Sequence, residues 1–264
     1  MSAFNRILLS TLTSILFWSQ VEAQYAEWGA SIGITHYFGD LNADFNPTHP
    51  GGMAMLNYRR ILNPFFALRV DGIVGMSYYD SKWSSNPYWA YQNLNFSTNY
   101  GMINSMLEFN LFKYEVDKDK EETGFTPYVA TGIGAGYFMN EATYNGSTYK
   151  LYNFHTEGKR YNQVFLNFPM EFGLKWRLAR AWTLSVHTTY IATSTDYLDD
   201  VSSTYHGNLV TSGGVNLTDP SSSINPLGDV SNKQRGMKGK DAILLTGISL
   251  HYSLLYKRCP MVGT

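Results

Sequence analysis

The sequence predicts an all-β chain: an eight-stranded antiparallel transmembrane β-barrel of the outer-membrane type, following a cleaved signal peptide. Three observations carry that expectation. Apolar and polar residues alternate with period two over unusually long runs. The N-terminus reads as an export signal. Aromatic content is high, with Tyr 20, Phe 15 and Trp 6 in 264 residues, while mean hydropathy is only -0.23. Strands that alternate apolar and polar faces give that combination; a bundle of apolar helices does not.

The export signal comes first. Arg6 supplies a positive start, residues 7–18 (ILLSTLTSILFW) an apolar stretch, and Val21-Glu22-Ala23 places Val and Ala before a cleavage point. The expected division is therefore residues 1–23 as signal peptide and 24–264 as the barrel. After this segment no apolar run approaches the ~18 residues a spanning helix needs.

Residues on one face of a strand recur every second position. From 26 to 38, Trp28, Ala30, Ile32, Ile34 and Phe38 oppose Glu27, Gly29, Ser31, Thr35 and Tyr37. Residues 52–62 set Ala54, Leu56 and Tyr58 against Met53, Met55, Asn57 and Arg59. Residues 66–78 set Leu68, Val70, Val74 and Met76 against Arg69, Asp71 and Ser77. The run from 164 to 178 is the most regular, with Val164, Leu166, Phe168, Met170 and Phe172 opposite Asn167, Glu171, Gly173, Lys175 and Arg177. Residues 125–139, 182–192 and 242–256 repeat the pattern. In residues 94–114 the apolar phase slips, from Phe96, Tyr100 and Met102 to Leu107, Phe109 and Leu111. A β-bulge near 103–106 is the expected remedy. The count is eight strands, the even number single-chain bacterial barrels use. Runs this long match the ~9–11 residues of a spanning strand rather than the ~5–6 of soluble sheets. Tyr25, Trp28, Tyr78, Tyr100, Tyr114, Trp176, Trp182, Tyr252 and Tyr256 are the expected interfacial rings.

Connections alternate between short (62–64, 115–124, 179–181) and long (41–51, 80–93, 140–162, 197–240). Short turns belong to the periplasm and long loops to the outside, so both termini are expected in the periplasm. The inward faces carry Glu27, Arg59, Arg69, Asp71, Glu108, Glu171, Lys175 and Arg177, together with His187 and His251. Eight strands enclose little free bore, and desolvated charges must pair. These residues are therefore expected to form a polar network that plugs the lumen.

The net charge of -1 gives no electrostatic case for nucleic acid. The lone Cys259 gives neither a disulfide framework nor a metal-ligand spacing. The glycines of Thr131-Gly132-Ile133-Gly134-Ala135-Gly136 alternate inside a strand, with no helix after them, so they are read as room for bulky neighbours and not as a phosphate loop. His36, Asp40, Asp196, Asp199, Asp200 and His206 are expected at the outer rim, where Asp residues cap turns. Arg235 and Lys238 are expected to form exposed pairs with the acids, each worth under ~1 kcal/mol. No catalytic residue, cofactor, metal or small-molecule substrate is assigned.

Thr195-Asp196-Tyr197-Leu198-Asp199-Asp200-Val201-Ser202, continuing Ser203-Thr204-Tyr205, strongly resembles a motif of the PorG-like barrel proteins of the type IX secretion system in Bacteroidota. Other fragments agree in order: Tyr37-Phe38-Gly39-Asp40-Leu41, residues 107–112 (LEFNLF), Pro127-Tyr128, His155-Thr156-Glu157-Gly158, Arg235-Gly236 and Asp241. The resemblance implies an outer-membrane barrel, in contact with lipid, that associates with a periplasmic lipoprotein ring of the PorK and PorN type. It implies no catalysis.

Overall fold

A computed structural model describes residues 26–42, 46–114, 124–179, 181–205, 211–212, 215–221, 227, 233–237 and 239–254. The expected signal peptide, the rings Tyr25 and Tyr256, the charged turn at 117–122, His206 and Lys238, and the C-terminal tail with Cys259 lie outside those residues.

Eight long strands run in chain order: β1 (Ala26–Phe38), β2 (Gly51–Ile61), β3 (Phe66–Asp80), β4 (Asn95–Asn110), β5 (Phe125–Tyr144), β6 (Val164–Ala179), β7 (Trp182–Thr193) and β8 (Ala242–Leu254). Each pairs antiparallel with its sequence neighbours, and β8 pairs with β1, which closes the sheet. Closure removes the free edges that an open sheet would expose. Among the described residues no helix is long and apolar enough to cross a membrane.

The register fixes the stagger. One continuous row of partners starts at Ala26 and passes through Arg60, Leu68, Leu107, Thr131, Met170, Tyr190 and Leu244. It returns to β1 at His36, ten residues above its start (36 minus 26). With ~3.3 Å per residue and ~4.8 Å between strands, a shear of ten over eight strands tilts them by ~40°.

Outward side chains form an apolar belt. Ile32 is 74% exposed, Leu56 68% and Ile103 67%, each in mid-strand. Paired rings bound the belt at the short-turn end. Trp28 meets Tyr58 at 5.0 Å, Trp182 meets Tyr252 at 5.0 Å, Phe66 meets Phe109 at 5.1 Å and Phe125 meets Trp176 at 5.3 Å. Phe38 and Tyr190 meet at 6.2 Å toward the other end. From Trp28 to Phe38 is ten residues, or ~25 Å along the axis at that tilt, the height of an outer-membrane apolar band.

The expected bulge in β4 is absent. Its pairing with β3 and with β5 is continuous from end to end. Phe96, Tyr100 and Met102 point inward with Met106 and Glu108, while Ile103, Leu107 and Phe109 point out. The phase slip arises because the inner face itself changes character along the strand, apolar near the long loops and charged near the short turns. Tyr100 and Tyr114, expected in the girdle, are therefore lumen residues, 4% exposed each. The one register shift in the barrel lies between Arg177 and Ala179 in the β6–β7 pairing. The loop expected to begin at 140 starts later, because β5 runs to Tyr144 and hairpins with Ser147–Lys150. Asn145 and Gly146 make that turn at φ 50 and φ 77, the left-handed pair a two-residue hairpin requires.

Candidate functional site: a sealed lumen and a buried acidic clasp

The half of the lumen near the short turns is ionic. Arg59 Nη1 donates to Glu27 Oε2 at 2.7 Å, and its Nε to Glu108 Oε2 at 3.1 Å. Arg69 grips Glu171 through two bonds of 2.7 Å, and its Nε lies 2.8 Å from Asp71. Lys175 donates to Glu108 and, at 2.8 Å, to Asn110. Hydroxyls fill remaining acceptors: Tyr114 at 3.0 Å and Ser253 at 2.8 Å on Glu27, Tyr128 at 2.8 Å and Thr189 at 2.7 Å on Glu171. Arg177 lies over the Tyr114 ring at 4.9 Å. Four acids and four bases thus share one buried layer, and formal charge there cancels. The Tyr128 ring lies so close to Gly173 that an added Cβ would come within 2.5 Å of it.

Above this layer the lumen fill turns mainly apolar, with Thr35, Ser77, Thr98 and Asn140 interspersed. Met53, Ile73, Met102, Phe138, Phe165 and Leu245 belong to one buried cluster. Gly136 makes room in it, since a Cβ there would lie 2.6 Å from the Phe165 ring. The cluster is completed by residues of the loops: Leu41, Leu151, Leu198, Val201 and Leu217. The polar plug expected from the inward charges therefore fills only half the barrel. A loop-borne apolar stopper fills the rest.

That stopper is the motif segment. Leu198, Asp199, Asp200 and Val201 are 2%, 2%, 1% and 1% exposed. Thr98 of β4 donates to the Leu198 carbonyl and Asn140 of β5 to that of Tyr197. Tyr197 stacks on Tyr161 at 4.6 Å. Thr195 accepts the Tyr197 N–H at 3.2 Å. Asp196 accepts from the Ser202 hydroxyl at 2.6 Å.

Asp199 and Asp200 turn in opposite directions. The Asp199 carboxyl lies 2.5 Å from the Tyr37 hydroxyl on β1, which is also 3.0 Å from Asp241 at the head of β8. Asp199 accepts the Val201 N–H at 2.9 Å, and Asp241 the Leu198 N–H at 2.8 Å. Asp200, at φ 66, accepts from Tyr161 at 2.8 Å and from Thr156. Arg235 donates to the Asp200 carbonyl at 2.5 Å and to Glu157 at 3.3 Å. Glu157 in turn receives the N–H groups of Ser202 and Ser203 at 2.9 and 3.2 Å. The short helix Pro87–Gln92 holds the return limb: Tyr88 donates to the Gln234 carbonyl at 2.5 Å and Gln92 to that of Arg235 at 3.0 Å. All four long loops thus meet over one mouth. Gly39 and Gly236 permit the approach. A Cβ on Gly39 would sit 2.1 Å from Asp241, and one on Gly236 2.2 Å from Asp40.

Burial pushes the carboxyl of Asp199 up to about 7. Burial, then the charges of Asp199 and Asp196, lift Asp40 to about 8. Burial and Asp199 push Asp241 well above the ordinary carboxyl range. Burial raises Asp200 as well, to about 6, against the pull of Arg235. Among the described residues no group of three His, Cys, Asp or Glu is arranged to hold a metal ion.

The structure overturns the expectation of exposed acid–base pairs at the rim. Arg235 is 1% exposed and wedged between Asp200 and Glu157, because the loop folds into the mouth instead of over it. The role of Glu157 and Tyr161 was not readable from the residues alone. The only trace of Glu157 is the His155-Thr156-Glu157-Gly158 fragment, whose His155 and Gly158 bend the chain at φ 48 and φ 69, and Tyr161 leaves none.

No curated protein matches the chain by sequence. Among solved structures it is similar to Ail, the attachment invasion locus protein of Yersinia pestis, at 8% identity over 88% of this chain and 100% of that one, TM-score 0.44. It is also similar to Neisserial surface protein A, at 9% identity over 87% and 96%, TM-score 0.41. The N-terminal β-barrel domain of Pseudomonas aeruginosa OprF matches at 9% identity over 87% and 97%, TM-score 0.40. A family model matches residues 6–219, most of the chain, and the protein therefore belongs to the family described as a domain of unknown function, DUF6089.

Proposed function

We propose that this barrel is a non-enzymatic outer-membrane component of the type IX secretion machinery, which anchors or organises a periplasmic lipoprotein ring of the PorK and PorN type. Its short turns and both termini face the periplasm, and its long loops face out. One observation carries the reading. The fragments that resemble the PorG-like barrels are scattered from Tyr37 to Asp241, yet Tyr37, Asp40, Glu157, Asp199, Asp200, Arg235 and Asp241 meet in one buried assembly. All of these fragments except residues 107–112 and Pro127-Tyr128, which lie at the short-turn end, contribute to that assembly, and this supports a shared architecture. The doubly sealed lumen suits an anchor better than a conduit.

The test is co-purification of the tagged protein from native membranes. Recovery of a lipoprotein ring supports the proposal. Recovery of the barrel with lipid alone favours the alternative, a generic structural or adhesive barrel. Orientation is tested separately, with cysteines at Lys159 and Lys113 in a Cys259→Ser background. Both positions are exposed, at opposite ends of the barrel. A membrane-impermeant thiol reagent on intact cells should label the first and spare the second.

A further inference from the structure

The clasp around Tyr37 brings one hydroxyl within reach of two carboxyls. The Tyr37 hydroxyl lies within hydrogen-bond distance of two carboxyls, Asp199 at 2.5 Å and Asp241 at 3.0 Å. A tyrosine hydroxyl has one proton to give, and an ionised carboxylate has none. Both contacts are fully satisfied when one of the two acids is protonated and donates to the tyrosine oxygen while the tyrosine donates to the other. The remaining oxygens of both acids are engaged by backbone N–H groups, Val201 on Asp199 and Leu198 on Asp241.

The clasp also spans a seam. Tyr37 lies near the end of β1 and Asp241 just before β8, the two strands whose pairing closes the barrel. Asp199 belongs to the loop segment that stoppers the mouth. We propose that the Asp199–Tyr37–Asp241 triad is a proton-held clasp that ties the stopper segment across the β1–β8 seam, and that loss of the shared proton releases the outer cap while the barrel stays closed.

The surroundings favour retention of the proton near neutrality. From the first loop Asp40 adds a third carboxyl. From the motif, Asp196 and Asp200 add two more acids. The third long loop contributes Glu157 and Tyr161, and the return limb contributes Arg235, which pairs with Asp200 and Glu157 and draws the Asp199 carboxyl down against the effect of burial. Lys240 faces Asp196. Acids whose folded form is the neutral one stabilise the fold fully below ~pH 4, where unfolded carboxyls are also neutral, and that stabilisation fades as pH rises. With Asp199 lifted to about 7 and Asp40 to about 8, the fading extends across neutrality.

The N–H groups of Leu198 and Val201 report on the clasp directly, since they donate to its two acids. Hydrogen exchange of the full barrel in phospholipid vesicles, expressed as protection relative to an unstructured peptide at the same pH, should lose at least about tenfold at these two amides between about pH 6 and 9. Mid-strand amides of β6 should not change. Asp199→Asn mimics the protonated acid, as its amide can donate to the Tyr37 oxygen while its carbonyl keeps Val201. Its protection should stay high and flat with pH. Asp241→Asn should do the same from the other side, and serves if the first variant does not fold. A wild type without pH response overturns the proposal, and so does an asparagine variant that loses protection in parallel with wild type. Neither outcome bears on the secretion reading, which rests on co-purification.

Discussion

Near the short turns, every acid in the lumen meets a cation: Glu27 and Glu108 on Arg59, Asp71 and Glu171 on Arg69. Near the long loops, Asp199 and Asp241 meet a tyrosine hydroxyl, backbone amides and each other. Both halves are sealed, but by different means. The ionic half is built by strand residues, joined by Tyr114 just past β4, so its strength is that of the barrel. The other half borrows Leu198, Val201 and Arg235 from loops, so it can open locally without the strands parting. The seal that is conditional is the one that carries the motif.

The sharpest way to break this contrast is Glu108→Ala. It strips the shared partner from Arg59, Arg69 and Lys175 and leaves buried charge uncompensated, at a cost of about 3–5 kcal/mol. Urea unfolding in vesicles should show the loss in global stability. Met170→Arg should cost about 2–4 kcal/mol by the same measurement, because Met170 sits in the apolar belt at 54% exposure. Gly173→Ser, which alternation alone would offer as a mild lumen control, is not mild, since Tyr128 occupies the space. A better control is the outward Thr188→Ser. Leu198→Ala should cost about 2 kcal/mol, the low end for a buried leucine, and only in cap opening by hydrogen exchange, not in urea. If urea unfolding shifts equally for Glu108→Ala and Leu198→Ala, the two halves are one cooperative unit and the contrast fails. The smallest effect is expected for Asp196→Ala, under about 1 kcal/mol, since its bond to Ser202 is only partly buried.

How far the sequence could be read follows from what each face does. In β6 the outward face stays apolar without a break from Val164 to Leu178, so alternation alone identifies the lipid and lumen sides even though the inner face passes from Phe165 to Lys175 and Arg177. In β4 the lumen side turns apolar halfway, and the two-letter pattern then suggests a bulge that does not exist. The Asn-Gly at 145–146 is itself a hairpin signal, and the turn it makes extends β5 into what the spacing alone presents as loop. The inward charges could be named, but not who pairs with whom. Arg69 and Glu171 lie 102 residues apart, and only the stagger of the closed sheet brings them together. The acidic motif was visible as a string. Its burial was not, because Asp-rich loop sequence ordinarily marks solvent-exposed turns.

The cancellation of four acids against four bases has a consequence for how this protein enters a membrane. Its charged layer draws on β1, β2, β3, β4 and β6, and Ser253 of β8 completes the shell around Glu27. Glu27 and Arg59 pair across the adjacent β1 and β2, and Arg69 and Asp71 within β3, but Glu171 and Lys175 of β6 find ionic partners only on the non-adjacent β3 and β4. A half-closed sheet lying in hydrocarbon would present unpaired charges to lipid, each costing several kcal/mol. Insertion and closure must therefore coincide, with the strands crossing as a curled, mutually neutralised unit. An open sheet in the bilayer is then a high-energy species, and the closed barrel is the only form whose charged layer is fully paired.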